Sequence, residues 1–161
     1  MSRAAISLLA MAALVLTPLA AQAGEQTDNA SLVASALDAL INRRDLDAVD
    51  RYVAENYIEH NPRLAGTRTG VKGFAKALAA GFSDYRGTIE HSVASGDLVV
   101  VFMRWTGTQD GPFGGKPATG AKVDFQTADL YRIVDGKIAE HWDVVDSLPR
   151  AIQLGLVPAP K

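Results

Sequence analysis

The chain has 161 residues, 48% hydrophobic and 21% charged, with 16 Lys and Arg against 18 Asp and Glu and a formal charge of −2. That composition excludes a disordered or collagen-like chain, and the missing basic excess excludes a nucleic-acid binder working by phosphate neutralisation. Cysteine is absent, which removes disulfides, thiol nucleophiles, thiolate metal sites and lipid-modified cysteine anchors.

Arg3 and an apolar run from Ala4 to Ala20 precede Ala21-Gln22-Ala23, a small-x-small cleavage pattern. These are the three regions of a secretory signal peptide. The expectation is a signal peptide over residues 1–23 and one domain over 24–161, exported to the periplasm or the medium. Pro18 and the cleavage pattern favour this over a retained N-terminal anchor. No later segment is apolar for long enough to span a bilayer, so no membrane association is expected after cleavage.

Gly24 to Asn29 reads as a flexible leader, with Asp28 or Asn29 capping a first helix. Leu32, Val33, Ala36, Leu37, Leu40 and Ile41 then recur at three and four residues and give that helix one apolar face. Asp45 is placed to cap a second helix carrying Leu46, Val49, Val53 and Tyr57, ending before Asn61-Pro62 because the residue before proline avoids helical geometry. After a loop from Gly66 to Gly70, a third helix turns Val71, Phe74, Leu78 and Phe82 inward.

Beyond Gly87 the period changes to that of strands. Thr88–Ser95, Leu98–Thr108, Lys122–Val134 and Lys137–Val145 read as four strands. Asp135-Gly136 between the last two is a strong hairpin signal, since both residues tolerate positive φ. Ser147 is placed to cap a short terminal helix reaching Leu154. Three helices, an antiparallel meander and a short helix define an α+β fold. A curved sheet wrapped around the N-terminal helices buries both sets and leaves a pocket at one end.

A two-residue turn pairs Val134 with Lys137, Leu130 with His141 and Ala128 with Asp143. Alternation then puts Gln126, Ala128, Leu130, Ala139, His141, Asp143 and Val145 on one face. Thr127, Asp129, Tyr131, Ile133, Ile138, Glu140, Trp142 and Val144 fall on the other. A His and an Asp two residues apart among small and apolar neighbours need partners or a purpose, because an unpaired buried charge is expensive.

The stretch YRIVDGKIAEHWDVVD, Tyr131 to Asp146, resembles the SnoaL-like polyketide cyclase family of the nuclear-transport-factor-2-like superfamily. Tyr57 to Pro62 (YIEHNP) is similar to that family's post-helix motif, and Gly107 to Gly120 (GTQDGPFGGKPATG) to its hairpin loop. The resemblance implies a cone-shaped α+β barrel of a mainly antiparallel sheet, a deep apolar pocket, and a homodimer through the outer sheet face. It also implies an Asp on the last strands acting as acid and base in an intramolecular aldol closure, without metal or cofactor. Related limonene-epoxide hydrolases place a catalytic Asp where Asp143 stands, paired with an Arg and a second Asp. Here Met103 and Trp105 occupy the expected positions of that pair.

The catalytic candidates are therefore Asp143, His141 and His60. Desolvation suits a carboxylate to take a proton from carbon beside a carbonyl, and a His beside it to hold it or to donate to an enolate oxygen. Each also has a bland reading: a structural Asp, a satisfied core His, a loop-anchoring His. The expected substrate-binding residues are Tyr57, Asn61, Met103, Trp105, Phe113, Gln126 and Leu130. His60, His141 and Asp143 together suggest a two-His-one-carboxylate metal set, but no H-x-x-x-H or H-E-x-x-H spacing supports it, so no metal is expected. His91 shares strand parity with Ile89 and Val93, which predicts a core role. Gly114, Gly115 and Gly120 lack the Lys-Ser/Thr and helix of a phosphate loop.

The expected function is cofactor-free acid–base chemistry at a carbonyl of a small apolar, oxygenated molecule, an aldol-type closure or an isomerisation. A periplasmic ligand carrier or dimeric scaffold and an epoxide or ester hydrolase are the competing readings.

Overall fold

A computed structural model describes residues 19–64 and 66–160, with side chains from residue 24 onward. The proposed signal peptide therefore lies largely outside the described residues. Helix α1 spans Leu19–Leu37 and runs straight into a π-type turn at Asp38–Asn42. Gly24 to Asn29, expected as a flexible leader, is part of this helix, and Asn29 Nδ2 ties it to the Gly96 carbonyl at 3.1 Å. Val33 and Ala36 on the helix and Ala39 in the π-type turn form a buried stripe.

The second helix is much shorter than its periodicity suggested. Helix α2 covers only Ala48–Tyr52, and Val53–Glu59 is a strand, β1. Asp45 is not its cap; the carboxylate accepts from Asp47 N at 3.0 Å in a turn before the helix. Val53 and Tyr57 are both buried, and a spacing of four satisfies a strand as well as a helix. Pairing decided the matter, because β1 lies parallel to the last strand and supplies a ladder that a helix would have forgone.

Helix α3 spans Arg68–Gly81, with the Thr67 side chain accepting from Gly70 N. Strands β2 (Arg86–Ser95), β3 (Leu98–Thr108), β4 (Lys122–Val134) and β5 (Lys137–Val145) follow, then helix α4 (Ser147–Gln153). Asp135 and Gly136 both have positive φ, 49° and 68°, as the β4–β5 turn requires. Gly111 fixes the long β3–β4 connection to α3: its N–H donates to Gly81 O at 3.0 Å, and a Cβ there would stand 1.9 Å from Ala80 O.

The sheet order is β1-β5-β4-β3-β2, with only β1–β5 parallel. Its inner face packs Val99, Val101, Met103, Trp105, Val123, Phe125, Tyr131 and Ile133 against Val33, Val49, Leu78 and Phe82 from the helical layer. The α+β architecture of a curved sheet around N-terminal helices is thus present, with one strand more than the sequence suggested.

Two bulges change which residues look inward. The β4–β5 ladder begins as expected, Val134 with Lys137 and Ile133 with Ile138, but Arg132 then pairs with Glu140. Ala139 is the extra residue. Tyr131 consequently pairs with His141 and Asp129 with Asp143, in place of Leu130 and Ala128. Thr127, Asp129, Tyr131 and Ile133 are the buried face of β4, while Gln126 is exposed. A second bulge at Glu90 turns His91 and Val93 outward, so His91 is an exposed residue edge-on to Phe102 and not part of the core.

Candidate active site

The helices and the sheet enclose a cavity of about 720 Å³. Leu37, Val49, Val53, Leu78 and Phe125 give it apolar walls. Tyr57, Thr127, Asp129, His141 and Asp143 line it where β1, β4 and β5 adjoin, and all but Asp143 belong to one connected network.

His141 is the hub. Its Nδ1 lies 3.0 Å from both Glu59 carboxylate oxygens and its Nε2 3.2 Å from Asp129 Oδ1. Two carboxylates, one at each ring nitrogen, make both nitrogens donors, so the ring is an imidazolium. Burial opposes that charge, but the hydrogen bonds to Asp129 and Glu59 and their charges prevail and raise its pKa from 6.5 to about 9. Tyr131 stacks on the ring, with centroids 4.7 Å apart.

Glu59 is satisfied on every side. Burial pushes its carboxyl up, but the His141 hydrogen bond and charge, with donations from the Tyr57 hydroxyl (2.6 Å) and Asn61 N (3.0 Å), bring it below its ordinary value. Burial and then Glu59 itself push the Tyr57 phenol up, so it remains a donor. On the other side, Trp105 Nε1 donates to Thr127 Oγ1 at 2.8 Å, and Thr127 donates to Asp129 Oδ2. The chain of contacts from Trp105 to Tyr57 is continuous and buried.

Asp143 stands apart from this chain. Asn61 Nδ2 donates to its Oδ2 at 2.8 Å, while Asn61 Oδ1 accepts from Arg63 N and is thereby oriented. Among the described residues, Asp143 Oδ1 accepts no hydrogen bond, and the side chain lines the cavity.

Of the residues singled out in the sequence, Asp143, His141, Tyr57, Asn61, Trp105 and Phe113 line this cavity. The others do not. His60 points to the outer side of the sheet, stacked on Trp142 at 4.1 Å with Nε2 2.8 Å from Glu140. Met103 is buried beneath Trp105 and Gly87. Gln126 bonds Glu90 on the outer face, and Leu130 shares its strand parity. His60, His141 and Asp143 are therefore not assembled into one ligand set, and among the described residues no group of three or more His, Asp or Glu forms a metal-holding cluster.

Two functional candidates were missed, Asp129 and Glu59. Residues 122–134 carry their own signal: Val123, Phe125, Thr127, Tyr131 and Ile133 alternate with Lys122, Asp124, Gln126 and Arg132. That alternation alone assigns Asp129 to the inner face. Glu59 is not legible locally, because the spacing of Val53 and Tyr57 fits a helix as well as the strand it belongs to.

The family model of the SnoaL-like polyketide cyclases matches residues 31–154. The nogalonic acid methyl ester cyclase of Streptomyces nogalater is 32% identical over 113 residues, covering 68% of this chain and 84% of that protein. The aklanonic acid methyl ester cyclase DnrD of Streptomyces peucetius is 36% identical over 109 residues, covering 65% and 72%. TsrD from Streptomyces laurentii superposes with a TM-score of 0.75 at 29% identity, covering 82% of this chain and 98% of that one. The chain belongs to the SnoaL-like polyketide cyclase family.

Proposed function

We propose that this protein is an exported, cofactor-free enzyme of the aldol-cyclase or isomerase type, acting on a small apolar, oxygenated molecule, with Asp143 moving the proton. One observation carries the reading. Three carboxyl groups gather where β1, β4 and β5 adjoin, two are consumed by His141, and among the described residues Asp143 alone keeps an oxygen that accepts no hydrogen bond. In the reaction, Asp143 takes a proton from carbon next to a carbonyl. The enolate carbon bonds to a second carbonyl carbon of the same molecule, and Asp143 returns the proton to the new alkoxide. Asn61, itself held by Glu59 through its backbone N–H, fixes the base, and the apolar walls exclude water.

The test uses nogalonic acid methyl ester as first substrate, with cyclisation followed by chromatography and binding by thermal shift. Asp143→Asn is expected to bind as the wild type does and to lose turnover by about a thousandfold or more. Wild-type turnover by that variant overturns the assignment. Binding without turnover by both proteins makes the chain a carrier.

A second reading rests on Asp129. It pairs with Asp143 across β4 and β5, so a second carboxylate stands beside the first. That is the acid–base pair an epoxide or ester hydrolase needs. Incubation with limonene oxide in ¹⁸O-water, scored for labelled diol, separates this chemistry from cyclisation.

The proposal includes a homodimer through the outer sheet face, where Phe102 and Val144 are 48% and 74% exposed. Light scattering of wild type and Phe102→Asp tests it. Export rests on the pattern ending at Ala23, and N-terminal sequencing of the secreted product tests that. Cleavage there shortens α1 to its part from Gly24 onward.

A further inference from the structure

All four tyrosines of the chain, Tyr52, Tyr57, Tyr85 and Tyr131, line the cavity. Tyr57 donates to Glu59, and Tyr52 is half-buried, where water can serve its hydroxyl. Tyr85 and Tyr131 are different. They are only 9% and 7% exposed, and among the described residues neither hydroxyl makes a hydrogen bond. Every other buried side-chain donor along the walls is spent on the protein: Trp105 on Thr127, Thr127 on Asp129, Gln109 on Gly111 and Pro117, and both His141 nitrogens on carboxylates. A buried hydroxyl without a partner carries a cost that a phenylalanine of the same shape would avoid. Among the described residues the one sealed polar side-chain atom without a partner is Arg68 Nε, so both phenol oxygens keep accessible surface, on side chains that line the cavity.

Tyr131 is the phenol beside Asp143. It pairs with His141 across β4 and β5, Asp143 follows two residues further along the same inner face, and such diagonal neighbours stand about 7–8 Å apart at Cα. The stack on His141, at 4.7 Å between centroids, fixes the plane of the Tyr131 ring. Tyr85 instead stacks on Trp105 at 5.5 Å, and Trp105 pairs with Phe125, six residues back along β4 from Tyr131. Burial, and then Asp129, Tyr57, Glu59 and Asp143, push the Tyr131 phenol up, so it keeps its proton and lends it only as a hydrogen bond. A base and a neutral donor are thus neighbours on one face. We infer that the Tyr131 hydroxyl is the catalytic donor to the substrate's carbonyl oxygen: as Asp143 removes the proton from the adjacent carbon, the negative charge developing on that oxygen meets the Tyr131 O–H. No proton leaves the phenol, and Asp143 carries the one that moves. The inference rests on the acid–base reading of the cavity and adds to it the group that stabilises the enolate.

Two probes with one skeleton supply the test. 2-Naphthol carries an oxygen that 2-methylnaphthalene lacks, and equilibrium dialysis measures the binding of each. Tyr131→Phe should weaken 2-naphthol about tenfold and leave 2-methylnaphthalene within about twofold. Tyr85→Phe should weaken 2-naphthol less than Tyr131→Phe does. The melting temperature of Tyr131→Phe should match that of the wild type, because the hydroxyl makes no hydrogen bond to the protein; a clear drop would show that it serves the fold, and overturns the inference. With nogalonic acid methyl ester, Tyr131→Phe should lower kcat about a hundredfold or more while KM stays within about threefold. Unchanged affinity for 2-naphthol, an equal loss for both probes, or an unchanged kcat overturns the inference and leaves Asp143 as the base. Failure of both probes to bind overturns the cavity reading, and this inference with it. A selective loss of 2-naphthol beside a wild type that cyclises nothing keeps Tyr131 as the donor to a ligand's oxygen and overturns the proposed reaction.

Discussion

Two histidines stand on opposite sides of the β1–β5 edge, each against a glutamate. His141 faces in, with Glu59 at one nitrogen and Asp129 at the other; His60 faces out, with Glu140 at Nε2 and Trp142 under its ring. The side chains of His141 and Glu59 are 10% and 2% exposed, those of His60 and Glu140 34% and 25%. The residue types match, but the solvent does not. Water competes with the outer pair and screens it, whereas the inner pair is committed to its partners and to its charge. This contrast explains why only the inner side has the properties of a site. Removing one member there strands the others, and the β5 residue two further on, Asp143, lines the same cavity.

The largest expected effect comes from breaking the inner hub. His141→Leu leaves the Glu59 and Asp129 carboxylates buried without their cation, and should destabilise the protein by about 3–5 kcal/mol in urea unfolding. A loss below about 1 kcal/mol would mean that the two carboxylates find other partners and that the hub is not what holds β1 against β5. Next is pH. The folded pKa of His141, about 9, lies above its ordinary 6.5. Its contribution is therefore complete below about pH 6.5 and is lost as pH rises through about 9. The gap corresponds to about 3 kcal/mol, so unfolding free energies at pH 7 and pH 10 should differ on that order. Glu59, shifted down, has the opposite sign: its contribution is present above its ordinary 4.5 and disappears as pH falls. His60→Ala should show the same high-pH loss as the wild type, since the outer pair is not its source.

Much of this was legible in the sequence, and what was not has a single kind of cause. The last three strands carry the expected bounds, and the Asp135-Gly136 turn behaves as its residues require. Asp143 and His141 face inward as alternation demanded. What failed was the step from one strand to its neighbour. Ideal pairing assigns Leu130 and Ala128 to the inner face, but Ile138 and His141 are both buried on that face and only three residues apart, which unbroken alternation does not give. A bulge at Ala139 buries both here, and it brings Asp129 into the site. An extra residue at Glu90 likewise turns His91 out of the core that alternation predicts for it. Val53 and Tyr57 differ from expectation for another reason: their spacing fits both periods, and only pairing with β5, far away in the chain, selects the strand. Long-range pairing is the information a local pattern lacks.

Trp105→Phe tests the far end of the inner network. The change removes the indole donor to Thr127, which in turn donates to Asp129. A loss of about 1–2 kcal/mol is expected, together with a smaller pKa rise at His141 by NMR titration, because Asp129 becomes a less well-ordered partner. A titration midpoint that does not move would show that Thr127 holds Asp129 without help from the indole.

The smallest effect should come from His60→Ala. Glu140 keeps Arg132, whose Nε lies 2.9 Å from its other oxygen, and Arg132 remains within 5.9 Å of the Trp142 ring. No carboxylate is stranded by the change, and the pair it removes is partly solvated, so the loss should stay below about 1 kcal/mol. Turnover should be unaffected, because the ring is on the outer side of the sheet from Asp143. A larger loss of stability would show that the stack on Trp142, not the inner hub, fastens the parallel β1–β5 pairing. A loss of turnover with stability preserved would show that the His60 backbone, whose N–H donates to His141 O at 2.9 Å, transmits side-chain strain through the strand into the site.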